Sequence, residues 1–451
     1  GKTQGNSAAS KEKTAASQPV VAPATVAATA SSVQASSPSP AAVESSDKPA
    51  PAAVADDPKA SWPQFHGLDG SNISKETGLL KEWPKDGPQL VGQTKGLGDG
   101  FASVVIGNGM IYTSGNRDGK STVTAIQLDG KIAWQQAVGE AWTANFPGTR
   151  STPTLDGDRL YDETPFGNVT CLDAKTGKPL WNVNILKEFD GKNITWALAE
   201  SVVIDGNNAI CCPFGSKASV VALDKVTGKT VWAAKVTGDQ AGYATPLLVP
   251  SYKGLRIILT MNQRALVGVN ADNGDLLFRH EHQTQYDVNA TTPVFHDGRI
   301  FITSGYASGS EMLQLEVDGA KASVKKLWDA PELDNHHGGV VLVNGHIYGA
   351  AFQAKGGNAQ RWICLDWNTG KKVYAEKGVG KGSLTCADGM LYTLSEQNKV
   401  GLVAASPDHP KPISQFQLPK GGEGPTWAHP VVCGGRLYLR HSDTLFVYNV
   451  K

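Results

Sequence analysis

Short runs in which apolar and polar residues alternate, each opened by a glycine, recur along this chain. Eight times a glycine is followed by an aliphatic residue and usually then an aromatic one, as the second strand of a hairpin would begin. The set is Gly109-Met-Ile-Tyr112, Gly157 to Tyr161, Gly206 to Ile210, Gly254 to Ile258, Gly298 to Phe301, Gly345 to Tyr348, Gly389 to Tyr392 and Gly435 to Tyr438. A period of roughly 40 to 50 residues built from short strands predicts propeller blades. The expected fold is therefore all-β: an eight-bladed β-propeller with four-stranded antiparallel blades.

After each hairpin comes a strand, a tight turn and a strand ending in a large ring, as in Cys171 to Trp181, Ala222 to Trp232, Gly268 to Phe278 and Cys364 to Tyr374. In the Asp-x-x-Thr-Gly turns the Asp bonds local backbone and the Gly takes the left-handed position. Trp134, Trp181, Trp232, Phe278, Trp328, Tyr374 and Phe416 fall at one position of successive repeats. A blade has two faces that its neighbours must cover, so this ring is read as an inter-blade wedge.

The last repeat, Trp427 to Val450, supplies three strands. A propeller leaves no open edge, so the segment Pro88–Thr94 is expected to provide the fourth and join the chain ends in one blade. Upstream, Trp62–Asn72 and Thr77–Pro84 carry three aromatics without strand alternation. They are expected to form a structural cap under or beside the closing blade. The organisation is then residues 1–61 as a tether, 62–87 as the cap and 88–451 as the propeller.

Composition changes that picture at the N-terminus. Up to Ser61 the chain is mostly Ala, Ser, Pro and Val with a few charges and no Leu, Ile, Met, Phe, Tyr, Trp or Cys. It cannot bury enough apolar area to offset its ordering entropy and is expected to be disordered. The start at Gly and the absence of a long apolar run are read as a processed N-terminus on an exported protein, periplasmic or extracellular, with this linker placed to reach an upstream membrane anchor. Formal net charge is zero and pI is about 7.3, which offers no field for nucleic acid. Six cysteines in a chain of 451 residues are not a disulfide framework; buried thiols are the expectation, and no C-x-x-C pair suggests zinc.

With these residues in hand the chain resembles the eight-bladed propellers of the pyrroloquinoline quinone (PQQ) repeat superfamily, whose signature is A-x-D-x-x-T-G-x-x-x-W. Within it, WPQF-x-G, TGLLKEWP, YDVN-x-TTP, DNHHGGV, GKGSLT and WAHPVVCGGRLY look most similar to exported planctomycete-type PQQ-binding-like β-propeller repeat proteins. The resemblance covers about Trp62 to Val450. It implies the fold more strongly than an activity, because the superfamily includes both quinoprotein dehydrogenases and non-enzymatic BamB-like scaffolds. One departure is Gly92, where similar proteins place a Trp in the closing strand. Either Trp83 of the cap replaces that wedge or the junction is looser.

Candidate chemistry follows from the fold. Residues just before each innermost strand converge on the channel mouth: Arg150, Glu200, Tyr243, Asp287 with Asn289, His336 with His337, Lys381, and Trp427 with His429. The leading reading is a monomeric binding or scaffold propeller that holds a protein, glycan or small anionic ligand on this ring, with no assured cofactor. The alternative is a PQQ- and calcium-dependent dehydrogenase oxidising an alcohol or sugar. There Arg150 with Lys217 or Lys381 would meet quinone carboxylates, Trp427 would stack on the ring, and Glu200, Asn289 and Asp287 would ligate calcium, Asp287 serving also in catalysis. The resemblance draws attention to Cys211-Cys212, since quinoprotein alcohol dehydrogenases carry adjacent cysteines over the cofactor. In a strand the two side chains face opposite ways, which disfavours a bond between them. His280 and His282 share a strand face at an outer edge and are read as a solvated edge rather than a metal site. Short repeats leave an open mouth, a poor shelter for a reactive quinone, and no hydrolase, kinase or metalloprotease signature is present.

Overall fold

The computed structural model describes residues 59–236 and 238–451. Eight blades follow one another along the chain, each built on antiparallel strands hydrogen-bonded in sequence order, four from the span of each of the first seven and three from that of the eighth. They span Val105–Glu140, Thr154–Asn184, Val203–Ala234, Leu247–Glu281, Val294–Ala330, Val340–Glu376, Gly382–Gln417 and Val431–Asn449, and are called blades 1 to 8. The architecture is an eight-bladed propeller. The expected tether lies outside the described residues except for its last three, of which Ala60 packs against the apolar cluster of blades 1 and 8.

The wedge residues explain how blades adhere. In four junctions an indole lies on the turn glycine of the next blade. A Cβ on Gly177 would approach Trp134 to 2.6 Å, on Gly228 Trp181 to 2.9 Å, on Gly274 Trp232 to 2.7 Å and on Gly370 Trp328 to 2.5 Å. These glycines also have φ between +69° and +82°, so the turn needs Gly for conformation and for space. Each indole N–H donates to a carbonyl of the same turn: Trp134 to Ala174, Trp181 to Lys225, Trp232 to Ala271 and Trp328 to Asn368, at 3.0–3.2 Å. In blades 1 to 6 the outer-strand register slips just before the ring. Such a bulge twists the strand and turns the following side chain toward the neighbouring blade. Phe278 fills the junction with blade 5 by apolar contact alone.

Nearer the axis a second set of bonds ties each blade to the next. Ser103 N donates to Thr152 Oγ1, Thr152 N to Ser201 Oγ and Ser201 N to Thr245 Oγ1, all at 3.0 Å. Thr292 Oγ1 donates to the Thr245 carbonyl, Thr291 Oγ1 to Asn335 Oδ1, Leu384 N to the Gly338 carbonyl and Ser383 Oγ to the Ala428 carbonyl. Ser103 Oγ, donating to the His429 carbonyl at 2.5 Å, returns the series to blade 1.

Ring closure is as expected: Leu90–Thr94 pairs antiparallel with Thr444–Asn449, with Gly92 opposite Val447. The missing wedge is not replaced by Trp83, which sits between blades 7 and 8 against Tyr392 and Phe416 at 5.9 and 5.7 Å. Trp62 fills the cluster shared by blades 8 and 1 with Ile106, Val431 and Tyr438. At the same junction the buried guanidinium of Arg440 donates to the carbonyls of Gly98, Ala102 and Ser114 and to Thr113 Oγ1. The junction is therefore stapled by polar contacts, not loose.

The cap packs on the closing blade and also reaches beyond it. Leu79 and Trp83 share a cluster with Val432, Leu437 and Tyr448 of blade 8, and Glu76 accepts from Gly434 N and Gly435 N, while the part from Trp62 to Ser74 crosses beneath the channel to other blades. Trp62 exchanges backbone bonds with Ile106 of blade 1 at 2.8 and 2.9 Å, and Pro63 accepts from Leu155 N of blade 2. Asn72 then bonds Leu384, Thr385 and Cys386 of blade 7, where Ile73–Ser74 adds a short parallel strand on Cys386–Ala387. Phe65 and His66, between these anchors, stand under the axis.

Trp232→Ala should lower stability by about 3 to 5 kcal/mol, and Trp232→Phe by less, since the ring stays while the bond to Ala271 is lost. Denaturant midpoints check both; a loss under about 1 kcal/mol for the alanine variant would mean that the ring does not hold the junction.

Candidate functional site

The loops that lead into the innermost strands enclose a cup of about 420 Å³ at the channel mouth. Its wall contains Arg150, Tyr243, His336, His337, Lys381, Trp427 and His429, seven of the positions expected from sequence. Eight rings contribute as well, and six of them were not anticipated at this site: Phe65, Phe101, Phe146, Trp196, Tyr306 and Phe352, beside Tyr243 and Trp427. Glu396 is a further unforeseen member.

Four expected residues are elsewhere. Along an extended strand alternate side chains face opposite ways, and Ala199 and Ser201 take the cup-facing phase, leaving Glu200 to point between blades. There it accepts from Cys212 N at 2.5 Å and faces Glu163. Burial pushes its carboxyl up to about 7, and burial together with Glu200 pushes Glu163 well above the usual range. By the same phase Val288 and Ala290 line the cup while Asn289 is fully buried, its amide donating to the Asn262 and His282 carbonyls and its oxygen accepting from Ser304. Asp287 is ion-paired with Arg264 at 3.0 Å and accepts from Gln263. Lys217 is at the surface with its amine on the Glu188 carbonyl.

One carboxylate organises the polar side of the cup. Glu396 Oε1 accepts from Lys381 Nζ at 2.6 Å and Trp427 Nε1 at 2.8 Å, with His337 Nε2 at 3.3 Å. Burial opposes its ionisation, but His337 and Lys381 outweigh that and hold it down to about 2. Lys381 also lies 4.3 Å from the Phe352 ring centre, and burial lowers its pKa against the pull of Glu396. His336 stacks on Phe352 at 4.7 Å and is kept neutral, its pKa lowered to about 2 by burial and the adjoining His337. Arg150, lowered by burial to about 10, donates to the carbonyls of Asn145, Phe146 and Gly148 and lies over Phe101.

The floor has a defined tautomer. His429 Nε2 lies 2.9 Å from the His337 carbonyl, an acceptor, so Nε2 carries the proton. Its Nδ1 then accepts from His66 Nε2 at 3.1 Å. Phe65 stacks on His66 at 3.9 Å and closes the cup from below.

The calcium and quinone roles do not fit these residues. Glu200, Asn289 and Asp287 are directed to separate partners, and among the described residues no group of three or more His, Cys, Asp and Glu stands ready to hold a metal. Cys211 and Cys212 are free and buried, and Cys212 Sγ lies on Thr260 Oγ1 of blade 4. His280 and His282 are not a solvated edge: they clamp Glu311 of blade 5 at 2.8 and 2.7 Å.

Residues 119–376, more than half of the chain, match the family model described as outer membrane protein assembly factor BamB. The chain belongs to the BamB family. It is 32% identical over 180 residues to the outer membrane protein assembly factor BamB of Xanthomonas campestris pv. campestris, covering 37% of this chain and 40% of that one. It is 31% identical over 140 residues to the quinoprotein alcohol dehydrogenase PedH of Pseudomonas putida, covering 29% and 22%. The matches thus span less than half of either relative. In structure, BamB from Moraxella catarrhalis superposes with a TM-score of 0.58 at 16% identity, covering 80% of this chain and 97% of that one. Quinohemoprotein alcohol dehydrogenase from Comamonas testosteroni gives 0.58 at 12%, covering 86% and 80%. These two likenesses show the fold.

His66 and His429 are both held neutral, their pKa values lowered mainly by burial, to about 4 for His429. The unfolded chain takes up these protons near pH 6.5, so their stabilisation is whole above that value and is lost as pH falls toward 4. Thermal unfolding should show the decline, with His429 contributing about 3 kcal/mol by pH 4. His429→Gln, which keeps a donor and an acceptor, should flatten it; an unchanged acid slope would place the loss elsewhere.

Proposed function

We propose that this protein is an exported binding propeller of the cell envelope, which holds a protein segment, glycan or small anionic ligand in the cup at its channel mouth. The observation that carries this reading is a wall of rings closed from below by the chain's own Phe65 and His66. Such a cup offers apolar contact area with a few fixed polar groups, the usual composition of a ligand site. The family and its named outer-membrane assembly relatives support an envelope location and a partner-binding role. Among the described residues no helix is long and apolar enough to cross a membrane.

The dehydrogenase reading has the likeness to quinoprotein enzymes in its favour. Against it stand the residues themselves: the acids cast as calcium ligands are engaged elsewhere, and Lys381, one of two cations for the quinone, is neutralised by Glu396.

Crystals soaked with a panel of small organic fragments should collect them in the cup beside Trp427, and Trp427→Ala should disperse them. Fragments scattered over the surface of the unaltered protein would overturn the binding reading. With PQQ and calcium added, dye reduction by alcohols or sugars should stay at the level of heat-inactivated protein. Turnover that disappears in Asp287→Asn would instead establish the dehydrogenase.

A further inference from the structure

We infer that the cup takes a flat aromatic molecule bearing a single negative charge, bound without a metal. This rests on the reading of the cup as a binding site and adds the class of ligand.

The first support is charge. Lys381 is matched by Glu396, and the cup's three histidines, His336, His337 and His429, are held neutral by burial. Arg150 is different: its guanidinium meets the carbonyls of Asn145, Phe146 and Gly148, and among the described residues no carboxylate pairs with it. The cup therefore holds one net positive charge on a group whose remaining N–H donors suit a carboxylate.

The second support is what surrounds that cation. Phe101 lies under the guanidinium, and Phe101 and Phe146 both contact Trp427, at 4.6 and 4.7 Å between ring centres. Phe146 is 46% exposed and has φ of +53°, a left-handed conformation that is rare for a bulky residue. Its carbonyl is one of those that Arg150 grips. A ring held exposed on strained backbone beside a cation is a feature of ligand clamps. An anionic group on Arg150 would place the body of its molecule against these three rings.

The third support is a shortage of other partners. Lys381, the Trp427 N–H and His337 converge on Glu396, while His429 is bonded to His66 and to backbone. A sugar would give up water at several hydroxyls, and beyond the hydroxyls of Tyr243 and Tyr306 the cup offers them few partners, while a planar polyacid would leave its additional carboxylates without cations. A flat ring with one carboxylate meets neither cost.

Calorimetry on the full chain in EDTA, with 2-naphthoate, 2-naphthamide, cyclohexanecarboxylate and maltotriose, tests this. The naphthoate should bind at least about 10-fold more tightly than each of the others, as expected of a charge-assisted pair in an apolar site. Arg150→Gln should bring naphthoate and naphthamide to similar affinity. Because Arg150 also ties down its loop, Phe146→Ala serves as a control: it should weaken both naphthyl ligands together and leave their ratio unchanged. Equal binding of the two in the unaltered protein, a ratio that survives Arg150→Gln, or binding that needs added calcium would overturn the inference. Preference for maltotriose, or no binding by any of the four, would also overturn it. In either case fragments gathering beside Trp427 would leave the binding reading intact.

Discussion

Everything in this molecule depends on a glycine that leaves room for its neighbour's indole. A ring of blades has no independent core; each sheet is stable only because the sheets on either side cover it. At four junctions the contact is an indole face on a turn without a Cβ, fastened by one N–H bond to a carbonyl of that turn. The outer-strand bulge aims the ring and interrupts an edge that would otherwise be open to pairing with another chain. Nearer the axis, the hydroxyls of Ser103, Thr152, Ser201 and Thr245 repeat the fastening at shorter radius.

With the blades held by wedges and by hydroxyls near the axis, the loops at the mouth hold rings and charges in costly arrangements. Phe146 and Tyr306 adopt left-handed backbone, and Lys381 is buried with an aromatic face on one side and a carboxylate on the other. A loop under no functional demand seldom retains such features. The polar network leaves the cup with one cation outside any ion pair among the described residues, and the aromatic wall gathers near it.

The fold was legible because it repeats. Glycine, turn and ring recur at fixed offsets, so a single blade read correctly predicts the others and the need for a closing strand. The site was legible where it shares that periodicity: Tyr243 and Thr245, like Trp427 and His429, are two residues apart and both face the cup. Glu200 and Asn289 were read one residue out of phase, and the neighbouring Ala199, Ser201, Val288 and Ala290 carried too little chemistry to correct the phase. Phe101, Phe146, Trp196, Tyr306 and Phe352 stand in loops of unequal length, outside the repeat, and no offset points to them. The cap's contact with the closing blade was legible, but without alternation nothing in Trp62–Asn72 shows that its two ends also bind blades 1, 2 and 7.

Closure by strands from opposite ends of the sequence also imposes an order on biosynthesis. Leu90–Thr94 emerges from the ribosome some seven blades before its partner Thr444–Asn449. Trp62 and the loop at Gly98 likewise await Val431, Tyr438 and Arg440. Until blade 8 emerges the first strand is an unpaired edge, and blade 1 has one face exposed. A nascent chain of this kind has reason to be kept from compacting until blade 8 is made, and loss of residues 432–451 would remove the closing blade rather than trim a loose segment.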